Sequence, residues 1–211
     1  MKAVIFDFDG TLTELTLDFG HLNREILNFA LQHVSPELIE ASRKQYIVET
    51  IYKLAENMGE RGPNFQKGAF ERLASLELYA SQGKDVFPYT RGLLRELKRR
   101  TLRTGIITRT CRAVLRQVFP DMDAYIDVAV TREDIREVKP DPAHVTRALD
   151  LLHVAPEYAL VVGDHPTDIA AGRALNVKTA GVLTGRTERA AFEEAGATYI
   201  IDDIRGVLEV I

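Results

Sequence analysis

Residues 2–13 read KAVIFDFDGTLT. An apolar burst from Ala3 runs into two acids, Asp7 and Asp9, with Gly10 and Thr11 behind them. The burst lacks strict apolar–polar alternation, so it reads as a strand buried on both faces, as strands of parallel sheets are. The same pattern recurs in GIIT from Gly105, AYIDVAV from Ala124, YALVVGD from Tyr158, TAGVLT from Thr179 and TYIID from Thr198. Segments of helical period lie between most of these bursts. Thr90 stands where it would cap a helix with Leu93, Leu94 and Leu97 on one side. Asp141-Pro142 reads as a cap followed by a first-turn proline, ahead of HVTRALDLL. Strands alternating with helices predict an α/β fold on a doubly wound parallel sheet, helices covering both faces. Ligands of such sheets bind at the carboxyl ends of the strands, where Asp7 and Asp9 stand.

One region breaks the rhythm. Residues 14–86 contain no strand-like burst. Leu22, Ile26, Phe29 and Ala30 have helical spacing. Ser35-Pro36 reads as the cap and first turn of a longer helix ending near Gly59. ERGPN, Glu60 to Asn64, reads as a loop, and a third helix is expected from Phe65 to Gln82, stopping before Gly83. The expected organisation is a core made of residues 1–13 and 87–211, with an all-helical cap, 14–86, inserted after the first strand.

Bulk composition narrows the class. The chain has 211 residues, 45% hydrophobic and 27% charged, which suits a globular protein with a sizeable core. Lys plus Arg is 27 and Asp plus Glu 31, a formal charge of −4. A mildly acidic chain without a long basic run argues against nucleic-acid binding. No apolar run approaches the roughly 18 residues of a membrane span. Cys111 is the single cysteine, so no internal disulfide can form. These features lead to an expectation of a cytoplasmic protein, monomer or homodimer.

The chemistry gathers at the predicted strand tips. The first tip brings Asp7, Asp9 and Thr11, the second Thr108 in IITRT, and the fourth Asp164 in VVGDHPTD with Asp168 four residues on. Lys139 lies just past the third, in EVKPDP. Crowded carboxylates repel and resist burial unless a cation neutralises them. A hard divalent ion with oxygen ligands is the natural neutraliser, and magnesium commonly takes one or two protein carboxylates. Asp7 and Asp164 are the candidate ligand pair, with the main-chain carbonyl of Asp9 turned to the ion by a bend at Gly10. Thr108 and Lys139 supply a donor and a fixed positive charge, as a transferring phosphoryl group needs.

DFDGTLT, Thr108 after an apolar strand, Lys139 in VKPDP and GDHPTDIAAGRAL together resemble the four motifs of the haloacid dehalogenase superfamily, in order, and in particular its phosphoglycolate-phosphatase-like branch. The resemblance covers the expected core and implies a Rossmann-like sheet with a helical cap that closes over substrate. It implies that Asp7 is a nucleophile forming an aspartyl-phosphate and that Asp9 is the general acid and base. Thr108 and Lys139 would hold the phosphoryl group, Asp164 would bind magnesium, and Asp168 would support it directly or through water. An acid two residues after the nucleophile suits hydrolysis, because it can protonate the leaving alcohol and then deprotonate water.

Some residues keep two readings. Thr11 either orders the turn or contacts phosphate. Arg109, where many relatives carry Asn, is either a second cation reading the substrate or a solvent-facing side chain. His165, where serine is common, reads as a solvated loop residue or a pH-sensitive neighbour. Asn176, where glycine often ends the helix, tolerates the left-handed conformation. The expected function is a magnesium-dependent phosphatase of a small phosphorylated metabolite. A mutase resembling beta-phosphoglucomutase uses the same motifs and stays open. A phosphonate-cleaving enzyme would need a cap lysine, and Lys53 and Lys67 have no motif-like context. A phospho-receiver signalling module is disfavoured, since receivers carry the acceptor on a middle strand and lack a helical insert.

Overall fold

Strand β1, Ala3–Phe6, is the centre of the molecule's sheet. A computed structural model describes residues 1–42 and 45–211. The chain forms, in order, β1; α1, Phe19–Ala30; α2, Pro36–Ser42; α3, Ile47–Glu56; α4, Gly62–Ala80; α5, Thr90–Arg99; β2, Arg103–Ile107; α6, Arg112–Val118; β3, Val128–Val130; α7, Ala143–Leu152; β4, Ala159–Gly163; α8, Pro166–Arg173; β5, Lys178–Val182; α9, Arg189–Ala195; β6, Tyr199–Ile201; and α10, Val207–Val210. It divides into two compact units, residues 1–15 with 83–211, and residues 16–82.

The first unit is a six-stranded parallel sheet in the order β3-β2-β1-β4-β5-β6. β1 lies between β2 and β4, Ala3 opposite both Arg103 and Ala159. All four of its residues are fully buried, which explains why the burst does not alternate. Ala3 and Ile5 pack in one core with Ile107, Val130, Val161 and, from α7, Val145, Leu149 and Leu152. α7 lies on β1, β2 and β3, and α8 on β4 and β5. Strand order reverses its direction of growth between β1 and β4. At such a switch point the loops following two adjacent strands diverge and leave a crevice. The loops here begin at Asp7 and Asp164.

The chain leaves and re-enters this unit at one stitched place. Thr13 and Val86 form an antiparallel bridge. The Thr13 hydroxyl donates to Asp85 O (2.7 Å), and Phe87 N donates to Leu12 O (2.9 Å). Residues 83–86, which the sequence reading assigns to the helical segment, therefore pack with the sheet.

The second unit holds α1–α4. Leu22, Ile26 and Ala30 of α1, Ile51 and Leu54 of α3, and Phe65, Ala69 and Leu73 of α4 are buried. α4 packs on α1 and α3, and the rings of Phe29 and Phe65 stack at 5.6 Å. Two sequence expectations change. The helix foreseen from Pro36 to Gly59 is two, α2 and α3; Tyr46 is extended (φ −67°, ψ 153°), and the break lets α2 pack against α3. Arg43 and Lys44, inside that foreseen helix, lie outside the described residues. The loop expected at Glu60–Asn64 is instead a 3₁₀ turn, Gly59–Arg61, running into α4. Pro63 sits in the first turn of α4, where its missing N–H and fixed φ cost nothing.

In the first unit, Thr90 is the first residue of α5, and its hydroxyl donates to Leu12 O (2.9 Å) instead of capping the helix. α7 begins one residue later than expected, with Pro142 at the cap position, and Asp141 accepts from Ala143 N at 2.9 Å from just before it. The strand foreseen from Ala124 is confined to Val128–Val130, with a 3₁₀ turn at Met122–Ala124. Asn176 is left-handed, φ 56°. No described helix is long and apolar enough to cross a membrane.

Candidate active site

β1 ends at Phe6, and Asp7 N still donates to Val162 O of β4 (2.8 Å), so the first acid is anchored to the ladder. The chain then turns sharply: Leu12 N donates to Phe8 O (2.9 Å) and Gly10 N to Thr13 O (2.8 Å). Gly10 has φ 82°, which a residue with a side chain rarely adopts, and a Cβ there would overlap the Asp164 carboxylate. Gly185, in the loop after β5, is constrained from the other side by the same carboxylate. Two glycines thus clear the space that Asp164 occupies.

The predicted convergence is present. Asp7, Asp164 and Asp168 offer carboxylate oxygens within 4.8 Å of one another. Lys139 is buried among them, its Nζ 2.8 Å from Asp7 Oδ1 and 2.5 Å from Asp168 Oδ1. Burial disfavours the ammonium, but Asp168 and Asp7 outweigh it and hold the Lys139 pKa above its ordinary value. Asp168 is fully buried, and its second oxygen accepts from His165 N (3.1 Å). His165 Nδ1 in turn accepts from Thr167 N (3.2 Å), a reciprocal capping box that starts α8. His165 is therefore a helix cap.

Asp9 stands beside this cluster with partners of its own. Its Oδ1 is 3.3 Å from Lys84 Nζ, and its Oδ2 accepts from the Thr110 hydroxyl at 2.7 Å. Burial pushes its carboxyl up, with Lys84 and Thr110 pulling against it and nearby Asp7 adding to the rise. Thr108 is buried at the tip of β2; its N–H donates to Val130 O (3.0 Å), and its Oγ1 accepts from Thr110 N (3.1 Å). The guanidinium of Arg109 donates to Lys139 O, and Arg132 donates to Arg109 O (3.0 Å), so the loops after β2 and β3 brace the lysine. The Thr11 hydroxyl is buried without a hydrogen-bond partner.

The donor set suits a hard divalent cation. Burial, together with Asp7 and Asp168, pushes Asp164 up to about 9, and burial lifts Asp168 to about 6 against the pull of Lys139. One ammonium does not neutralise three carboxylates at this spacing, and a divalent ion would supply the missing positive charge. Asp7 and Asp164 could hold it, since Lys139 takes only one oxygen of Asp7, whereas both oxygens of Asp168 are engaged, by Lys139 and the His165 amide.

Four participants were not foreseen. Thr110 could have been noticed, lying two residues after Thr108 in IITRT. His144 is fully buried, accepting from Lys139 N at Nδ1 (3.2 Å) and facing Val130 O with Nε2 (3.0 Å), but it reads in sequence as part of an amphipathic helix. Lys84 and Gly185 carry no local signal, because their partners are about 75 and 20 residues away.

Comparison with known proteins agrees with this architecture. A model of the family described as haloacid dehalogenase-like hydrolase matches residues 4–182. A protein of Bacillus cereus named pyrophosphatase PpaX is 35% identical over 225 residues, covering 100% of this chain and 96% of that one. Among solved structures, a hydrolase from Pseudomonas syringae superposes with a TM-score of 0.72 at 23% identity, covering 99% of this chain and 97% of that one. A beta-phosphoglucomutase from Clostridium difficile superposes with a TM-score of 0.70 at 17% identity, covering 99% and 96%. Both structures share the fold; the family match and the full-length relative do more. With its sheet order, its acid pair after β1 and a family match over most of its length, the chain belongs to the haloacid dehalogenase-like hydrolases, in their phosphatase-like branch.

Proposed function

We propose that the chain is a magnesium-dependent phosphatase of small phosphorylated molecules, working through an aspartyl-phosphate on Asp7. The observation that carries this reading is the meeting of Asp7, Asp164 and Asp168 around Lys139, with a second acid, Asp9, two residues from the first. Asp7 attacks phosphorus as the bond to the leaving oxygen breaks, and Asp9 gives that oxygen its proton. Water then attacks the phosphoryl group, Asp9 takes its proton, and the Asp7–phosphorus bond breaks. Lys139 and Thr108 hold the equatorial oxygens. A magnesium ion held by Asp7, Asp164 and the Asp9 carbonyl would neutralise the developing charge on those oxygens. The helical unit, inserted directly after these acids, is read as the substrate-selecting cap.

The name of the full-length relative makes inorganic pyrophosphate the first substrate to try, beside p-nitrophenyl phosphate and a panel of phosphate esters. Phosphate release should require magnesium, stop with chelator and fall at least about 1,000-fold in Asp7→Asn, which removes the nucleophile. Release that persists in Asp7→Asn, or none from any substrate in the native protein, would overturn the proposal. In the second case, isomerisation of sugar phosphates without net release would identify a mutase.

A further inference from the structure

Lys84 lies outside the four motifs, yet its side chain is only 9% exposed and its charge sits 3.3 Å from Asp9 Oδ1. An ammonium largely withdrawn from water is costly unless paired, and Asp9 is the partner here. The placement is visible in the segment that re-enters the sheet unit. Val86 bridges Thr13, and the Thr13 hydroxyl donates to Asp85 O, so the segment is tied down on both sides of the Asp85–Val86 peptide. The Lys84 side chain and Val86 are largely covered, while Asp85 is exposed and Arg91 holds its carboxylate at 2.9 and 3.1 Å. Arg91 is itself clamped by Asp121 (2.8 Å) and lies over the Phe119 ring. The clamp on Asp85 holds the residue next to the lysine.

From this we infer that Lys84 is a positioning residue for Asp9, sharing that task with Thr110. Each takes one oxygen of the carboxylate, and together they fix its plane and distance from the phosphoryl site. The inference rests on the reading of Asp9 as the proton-transfer group. A carboxylate fixed at both oxygens cannot rotate away between protonating the leaving group and deprotonating water. Proton transfer depends on such geometry before it depends on acidity.

The test is Lys84→Met and Lys84→Arg in the full chain, with pyrophosphate as substrate. Lys84→Met should lower kcat about 10- to 100-fold while KM stays within about threefold, and Lys84→Arg should recover most of the loss. The p-nitrophenolate burst is then read in an Asp9→Asn background, because this leaving group departs without a proton. There Lys84→Met should have no further effect, as expected for residues acting as one unit. An unchanged kcat in Lys84→Met, or an undiminished loss in the Asp9→Asn background, would overturn the inference. A readout independent of turnover is the ¹³C shift of the Asp9 carboxyl, which should move in Lys84→Met; a static shift overturns the inference. Should the native protein hydrolyse nothing, the phosphatase reading falls, and the carboxyl shift still decides whether Lys84 holds Asp9.

Discussion

Asp164 is held in place by what is missing around it. Gly10 and Gly185 approach its carboxylate from two directions, each so closely that a methyl group would overlap it. Gly185 has an ordinary backbone, so Gly185→Ala should fold normally and act only by displacing Asp164. The metal concentration for half-maximal activity should then rise about 10- to 100-fold, the usual cost of disturbing a ligand's support. Thermal shift with magnesium, native against variant, checks this apart from activity; equal shifts would refute it. That Asp7, Asp164 and Asp168 meet was legible in the sequence, because adjacent parallel strands bring their carboxyl ends together whatever their separation in the chain. The bend at Gly10 was legible, but Gly185 and Lys84 were not. Their meaning lies in contacts across the fold, and a glycine or a lysine has no local pattern that distinguishes support from solvent exposure.

At the scale of elements, α7 couples packing to protonation. His144, in its first turn, accepts from Lys139 N through Nδ1 and faces Val130 O with Nε2, the arrangement of a neutral ring. Burial, followed by the charge of Lys139, pushes it down to about 4 from 6.5. As pH falls through 6.5 the unfolded chain binds a proton that the folded chain refuses until about pH 4. Stability should therefore decline across that window, by at most roughly 3 kcal/mol from this group. Urea unfolding at pH 7.5 and pH 5 checks it. His144→Gln should lose about 1–2 kcal/mol at pH 7.5 from disturbed hydrogen bonds, yet show a smaller drop between the two pH values. An unchanged drop would mean that other groups govern the acid limb. Elements with a strong period or a buried apolar run, such as β1, β4 and α7, were readable from sequence. The break between α2 and α3 was not, since the helical spacing continues across the extended residue that interrupts it.

For the whole molecule, the arrangement of the two units makes the helical one removable in principle. The chain departs after Leu15 and returns at Gly83, and the Thr13–Val86 bridge keeps those points together. Replacing residues 16–82 with a short Gly-Ser linker should leave a sheet unit that unfolds cooperatively and still gains thermal stability from magnesium. On the cap reading, the spread of kcat/KM across phosphate esters should narrow in this variant. Loss of a cooperative transition by circular dichroism would show that the sheet unit needs the helices. The strand order has a consequence of a different kind. β1 is synthesised first, yet it is seated between β2 and β4, and β4 begins 156 residues after it, at Ala159. At about 5–20 residues per second, a ribosome needs roughly 8–30 s to make that stretch. Throughout that time the segment bearing Asp7 has no second neighbour, so nascent chains stalled before Ala159 should be those most readily captured by chaperones that bind extended apolar segments.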